Sequence, residues 1–227
     1  MSCRLFRDND TEENMKYPNA LTGIKRIYLS EIIALIASVI MVICSVILMV
    51  CYDEPELIVE AEISSIALLA ALGIFVFSYI LQIAGIVRAT KDEPAFRVSL
   101  IAIIAALVIT VLQCIFYESN HIITFVLEIA GDVAEFFLVH YIIHGIMHLS
   151  DHLGRPDITK KGKNIFRVIY IAIGFEIVVR IFEMIFGKEV GEQLSMPFGI
   201  AANILKVVEY ILFLSYIGKS NKLLKEN

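Results

Sequence analysis

FVLEIAGDVAEFFLVHYIIHGIMH, residues 125–148, is the stretch on which the reading of the whole chain turns. It is as apolar as a membrane span, yet it carries Glu128, Asp132, Glu135, His140, His144 and His148. A surface loop would not be this apolar. A helix surrounded by lipid would not be this ionisable, because a charge left at the bilayer centre costs about 2.5 to 3.5 kcal/mol even on the lenient insertion scale. The stretch is therefore read as a membrane helix that turns its polar faces away from lipid.

The rest of the chain agrees. Of its 227 residues, 58% are apolar, against about 45 to 50% in soluble domains. The mean hydropathy is +0.78. A helix of about 20 residues crosses the hydrocarbon core. Six runs approach or exceed that length: Ile27 to Val50, Ile63 to Val87, Val98 to Phe116, Ile122 to Met147, Ile165 to Phe186 and Ile200 to Ile217. The expected fold is all-α, a polytopic membrane bundle of six transmembrane helices. A polar tail is expected over 1–22, the six-helix domain over 23–218 and a basic tail over 219–227.

Charge placement supplies an orientation. Lys and Arg collect in 1–26, 88–97, 149–167 and 219–227, which together hold 16 of the 19. Lys188 stands alone on the other side, and Arg180 and Lys206 fall inside spans. Basic loops stay in the cytoplasm, so both termini are expected there, in a plasma (inner) membrane. The N-terminal 20 residues have no apolar core of a cleavable leader, so the first span is expected to be retained. The first loop on the far side, YDEPELIVEAE at 52–62, is acidic and is read as a solvated connection. The net charge of −5 is incompatible with a broad basic footprint for nucleic acid. Four cysteines without a C-x-x-C are read as packing residues.

The inward helix starts resemble one another: KRIYLSEIIALIA at 25, FRVSLIAIIAALV at 96 and FRVIYIAIGFEIV at 166. This spacing is compatible with three repeated two-helix hairpins. A basic residue before an apolar run is also what any helix entering from the basic side looks like.

The polar groups within the spans concentrate in helices 4 to 6, while helices 1 to 3 read as scaffold. Glu128, Asp132 and Glu135 share a face of helix 4. Glu176, Arg180 and Glu183 share one of helix 5, and Asn203, Lys206 and Glu209 share one of helix 6. At 1.5 Å per residue all nine lie about 5 to 20 Å from the far-side helix ends, so the stripes occupy one slab. They are expected to face each other, a water-filled cavity or a partner. The arithmetic leaves acids in excess, and the expected neutralisation is Arg180 with Glu176 or Glu183 within helix 5 and Lys206 with Asp132 or Glu209. An acid-rich vestibule favours cations or protons over anions.

His140, His144, His148 and His152 recur every fourth residue and precess by 40° per step, so adjacent pairs converge but the four do not. His144 and His148 are the candidate zinc or iron ligands, with Asp151 or Glu31 as a third. No cofactor is otherwise expected. No Gly-x-Ser-x-Gly, His-Glu-x-x-His or glycine-rich phosphate loop is present, so the chain is read as a non-enzyme.

The leading functional reading is a small transporter or channel-like protein for a cation, a proton-coupled solute or a polar metabolite. Its polar cavity is expected between helices 4 to 6, opening outward. The alternative is a sensor or assembly subunit whose charged stripes bind a membrane partner helix or a second copy of the chain. A metal-dependent membrane enzyme comes third.

Overall fold

The computed structural model describes residues 17–53, 58–116, 121–186 and 188–225. Among these it is all-helical: α1 Pro18–Asp53, α2 Ile58–Ala89, α3 Phe96–Phe116, α4 His121–His152, α5 Pro156–Phe186 and α6 Lys188–Lys225. The side chains of Glu183 and Lys188, the acidic loop at 54–57 and most of the N-terminal tail lie outside the described residues.

Among the described residues, four helices are long and apolar enough to cross a membrane: Pro18–Cys51, Ala61–Ala89, Phe96–Phe116 and Met196–Lys222. The six-span expectation meets α4 and α5 here. These are 32 and 31 residues long and hold the stripes of Glu128 and Glu176, and they are not among the four. Large apolar side chains stay exposed along every helix, such as Val42, Leu69, Ile101, Val126, Ile177 and Ile204. An apolar exterior of that extent belongs against lipid. The first helix begins at Pro18 and the last runs to Lys225.

Consecutive helices pack most closely as α1 with α2, α3 with α4 and α5 with α6, and α1 also meets α6. Short connections bring this about in any up-and-down bundle, so hairpin pairing does not establish repetition. The first pair is drawn together by glycine. A Cβ on Gly85 would lie 2.8 Å from the Gly23 carbonyl oxygen, and one on Gly23 would lie 2.5 Å from that of Gly85. Absence of both side chains lets the two backbones touch, as small residues do between membrane helices.

The connections at the basic end are built tightly. Pro18 opens α1, where its missing N–H is no loss. The Ala20 N–H donates to Oδ2 of Asp92 at 2.8 Å, and Asn19 Nδ2 donates to Oδ1 at 3.0 Å. A carboxylate from the α2–α3 turn thus caps the positive end of α1. α4 ends in a left-handed Gly154 (φ 68°). The Arg155 N–H donates to the Ser150 carbonyl at 2.8 Å and the Gly154 N–H to that of Asp151 at 3.1 Å. This paired pattern closes a helix with glycine and releases the chain into Pro156.

Most of the buried core lies at this same end: Ile24, Ile27, Ile86, Phe96, Ile142, Ile143, Ile146 and Ile217 are fully buried. Phe96 seats its ring against Gly145 of α4, where a Cβ would be 2.8 Å from the ring. The core thins toward the opposite end, and a cavity takes its place.

Candidate functional site

The cavity holds about 500 Å³ and is lined by side chains from every helix. Its polar lining comprises Ser30, Glu31, Ser38, Ser78, Tyr79, Gln82, Thr110, Gln113, Glu128, Asp132, Glu135, Arg180 and Tyr210. It runs from the level of Ser30 and Gln82, just above the buried Ile27 and Ile86, to Gln113 near the end of α3. Helices α1 to α3, expected to be scaffold, supply more than half of this lining.

Arg180 organises the wall nearer the acidic-loop end. Its Nη1 donates to Oε2 of Glu128 at 2.6 Å, and its Nη2 donates to Oδ2 of Asp132 at 3.2 Å. Glu128 and Asp132 stand one helical turn apart, so the planar guanidinium spans both carboxylates. Pairing within α5 was the expectation; the bonds to Glu128 and Asp132 cross to α4, while the Glu183 side chain lies outside the described residues. The two stripes lie at one depth and face each other, which brings the fork within reach of α4.

Lys206 of α6 pairs with Oε1 of Glu176 of α5, not with Asp132. Glu135 lines the cavity and lies within Coulombic reach of Lys206, Asp132 and Glu176. Glu209 is half-buried and senses Glu135, Glu176 and Lys206. Asn203 is exposed and is not a lining residue of the cavity.

A second polar cluster sits deeper. Gln82 Nε2 donates to Oε1 of Glu31 at 2.7 Å. The Tyr210 hydroxyl lies 2.9 Å from the Glu31 carbonyl and 3.2 Å from its Oε2. Glu31 is 13 residues, or about 20 Å, along α1 from Pro18, so it lies deeper than His144 and His148, which are 8 and 4 residues from the end of α4. Its helical companions held a signal: Glu31 and Ser38 are seven residues apart, Ser78 and Gln82 four, and Thr110 and Gln113 three. Each spacing puts two polar groups on one helix face.

Asp132 and Arg180 also line a lateral groove of about 600 Å³ between α4 and α5, otherwise apolar except for Glu176 and bordered by Phe125, Ile129, Phe136, Ile173 and Ile177. These groups therefore stand between the central cavity and a lipid-side groove.

The histidines separate into two sets. His140 stacks on Phe166, with ring centres 4.4 Å apart, and neighbours His144 at 6.4 Å among Phe136 and Tyr141. His148 Nδ1 instead lies 2.7 Å from Oε2 of Glu93, and His152 is adjacent, its ring centre 4.3 Å from that of His148. The third ligands considered for the histidines lie elsewhere. Asp151 accepts a hydrogen bond from Thr159 at 2.6 Å, and Glu31 is held by Gln82 and Tyr210. Cys44, Cys51 and Cys114 are free thiols.

No family model, curated protein or solved structure matches the chain.

Proposed function

We propose that the chain is a membrane transporter or channel-like protein for a cation or a protonated polar solute, spanning the membrane six times with both termini in the cytoplasm. One observation carries this reading: a polar cavity of about 500 Å³, lined from all six helices and holding four carboxylates against one guanidinium. Ionisable groups within membrane helices usually mark pathways, and acids in excess select cations. Glu128 and Asp132 are held by Arg180 near the acidic-loop end. Glu31 and Glu135 supply the deeper negative charge. The packed core at the basic end closes the path on that side, in keeping with an outward-open state of an alternating cycle.

The test is flux into proteoliposomes of purified protein, following protons, monovalent and divalent cations in turn. E31Q and D132N are expected to reduce flux at least about tenfold while leaving the protein folded. Undiminished flux in both variants, or none in the intact protein with any of these ions, overturns the reading.

The groove between α4 and α5 favours a second reading, in which a partner helix docks there and its basic residue meets Glu176 and Asp132. Crosslinking of a stable complex that E176L disperses, with no flux in the intact protein, would select it.

A further inference from the structure

We propose that Glu93, His148 and His152 form a binding site for a divalent transition metal at the basic end of the bundle. Their ligand atoms, one carboxylate oxygen and one nitrogen from each ring, all lie within 4.8 Å of one another. In a tetrahedral zinc site with bonds of about 2.0 to 2.2 Å, neighbouring ligand atoms are about 3.3 Å apart. Small side-chain rotations bring the three to that spacing, the imidazole and carboxylate of His148 and Glu93 opening slightly from 2.7 Å.

The set is prepared from three elements. Glu93 belongs to the α2–α3 turn and is 5% exposed. Its Oε1 accepts the Ala95 N–H at 3.1 Å, which leaves Oε2 pointing to His148. Next to it, Asp92 caps α1 and fixes the turn. His148 and His152 occupy successive turns at the end of α4, so both rings lie on one side of the helix. The Tyr17 hydroxyl stands 3.5 Å from Nδ1 of His152, and the two rings stack. Such outer contacts orient ligating imidazoles. Both histidines are exposed, so the site is reachable from solution.

A simple hydrogen bond accounts for Glu93 and His148. It does not account for His152, whose convergence on the same point completes a two-histidine, one-carboxylate set. That set suits zinc, iron(II) or cobalt(II) better than magnesium or calcium, which prefer oxygen ligands. Bound metal would tie the α2–α3 turn to the end of α4. The site is separate from the central cavity and does not depend on the transport reading.

Full-length protein in detergent, stripped by a chelator, is titrated with cobalt(II) and watched for visible ligand-field bands. Retained zinc is measured after dialysis. The expected result is one metal per chain, a zinc-dependent rise in unfolding temperature, and loss of affinity on the order of tenfold or more in H152A and H148A. H144A, outside the set, binds as the parent does. H152A removes an exposed ring and leaves the pair of Glu93 and His148 intact, so a folding failure is separable by its unfolding temperature without metal. Absence of stoichiometric cobalt or zinc in the parent overturns the proposal, as does full binding in H152A or loss of binding in H144A.

Discussion

Nη1 of Arg180 lies 2.6 Å from Oε2 of Glu128, joining the last third of α5 to the first third of α4. The guanidinium reaches Asp132 at the same time. Removing it leaves two carboxylates together in the cavity wall. R180L is expected to destabilise the protein by about 1 to 2 kcal/mol, below the cost of breaking a fully buried pair because these side chains remain 30 to 40% exposed. R180K keeps the charge but not the fork, and is expected to fall between. Thermal unfolding in detergent checks the order; equal stability of R180L and the parent would sink it.

The pair of Lys206 and Glu176 is more open, with 47% of the lysine side chain exposed. A double-mutant cycle of K206M and E176Q is expected to give a coupling of about 0.2 to 1 kcal/mol. A coupling well above that range would mean that the pair is shielded by a partner, which is the second functional reading.

Tyr210 links α6 to Glu31 of α1 through its hydroxyl. Y210F is expected to cost about 0.5 to 1.5 kcal/mol. In an E31Q background the loss should shrink, because one of the two acceptors has changed. Additive effects of the two changes would show that the hydroxyl does not act through the Glu31 carboxylate.

Gly85 has the Gly23 carbonyl where a Cβ would stand, and backbone does not yield as a side-chain tip does. G85A is expected to lower stability by about 1 to 3 kcal/mol. Gly73 faces open space on the same helix, so G73A serves as the control and should be close to neutral. Equal unfolding temperatures for the two variants would contradict the close approach of α1 and α2.

Asp92 accepts two hydrogen bonds at the start of α1. D92A is expected to cost about 1 to 2 kcal/mol, and D92N less. Hydrogen exchange should quicken selectively over residues 18–24. Uniform exchange across all helices would instead indicate global destabilisation.

The helical architecture was legible because it rests on local physics. Long apolar runs exclude strands with open edges in lipid and favour helices that satisfy their own backbone. The spacing of Glu128, Asp132 and Glu135, or of Glu176 and Arg180, likewise follows from helical geometry alone. Those stripes were readable, whereas the grouping of the histidines was not: the candidate pair His144 and His148 falls into two different sets. Partner choice was not readable. Arg180 had acids at helical spacing on its own helix, and only the seating of α5 against α4 brings it to Glu128 and Asp132 as well.

The sequence by itself determined that this protein is a set of long apolar helices with ionisable stripes that lipid does not tolerate. Only the tertiary structure decided that α1 to α3 share the polar lining, that Glu31 meets Gln82 and Tyr210, and that Glu93 approaches His148 and His152. The physical reason is range. Hydropathy and helical period act over a few residues, whereas these contacts join residues 51, 179 and 55 positions apart, and their meeting depends on how whole helices pack.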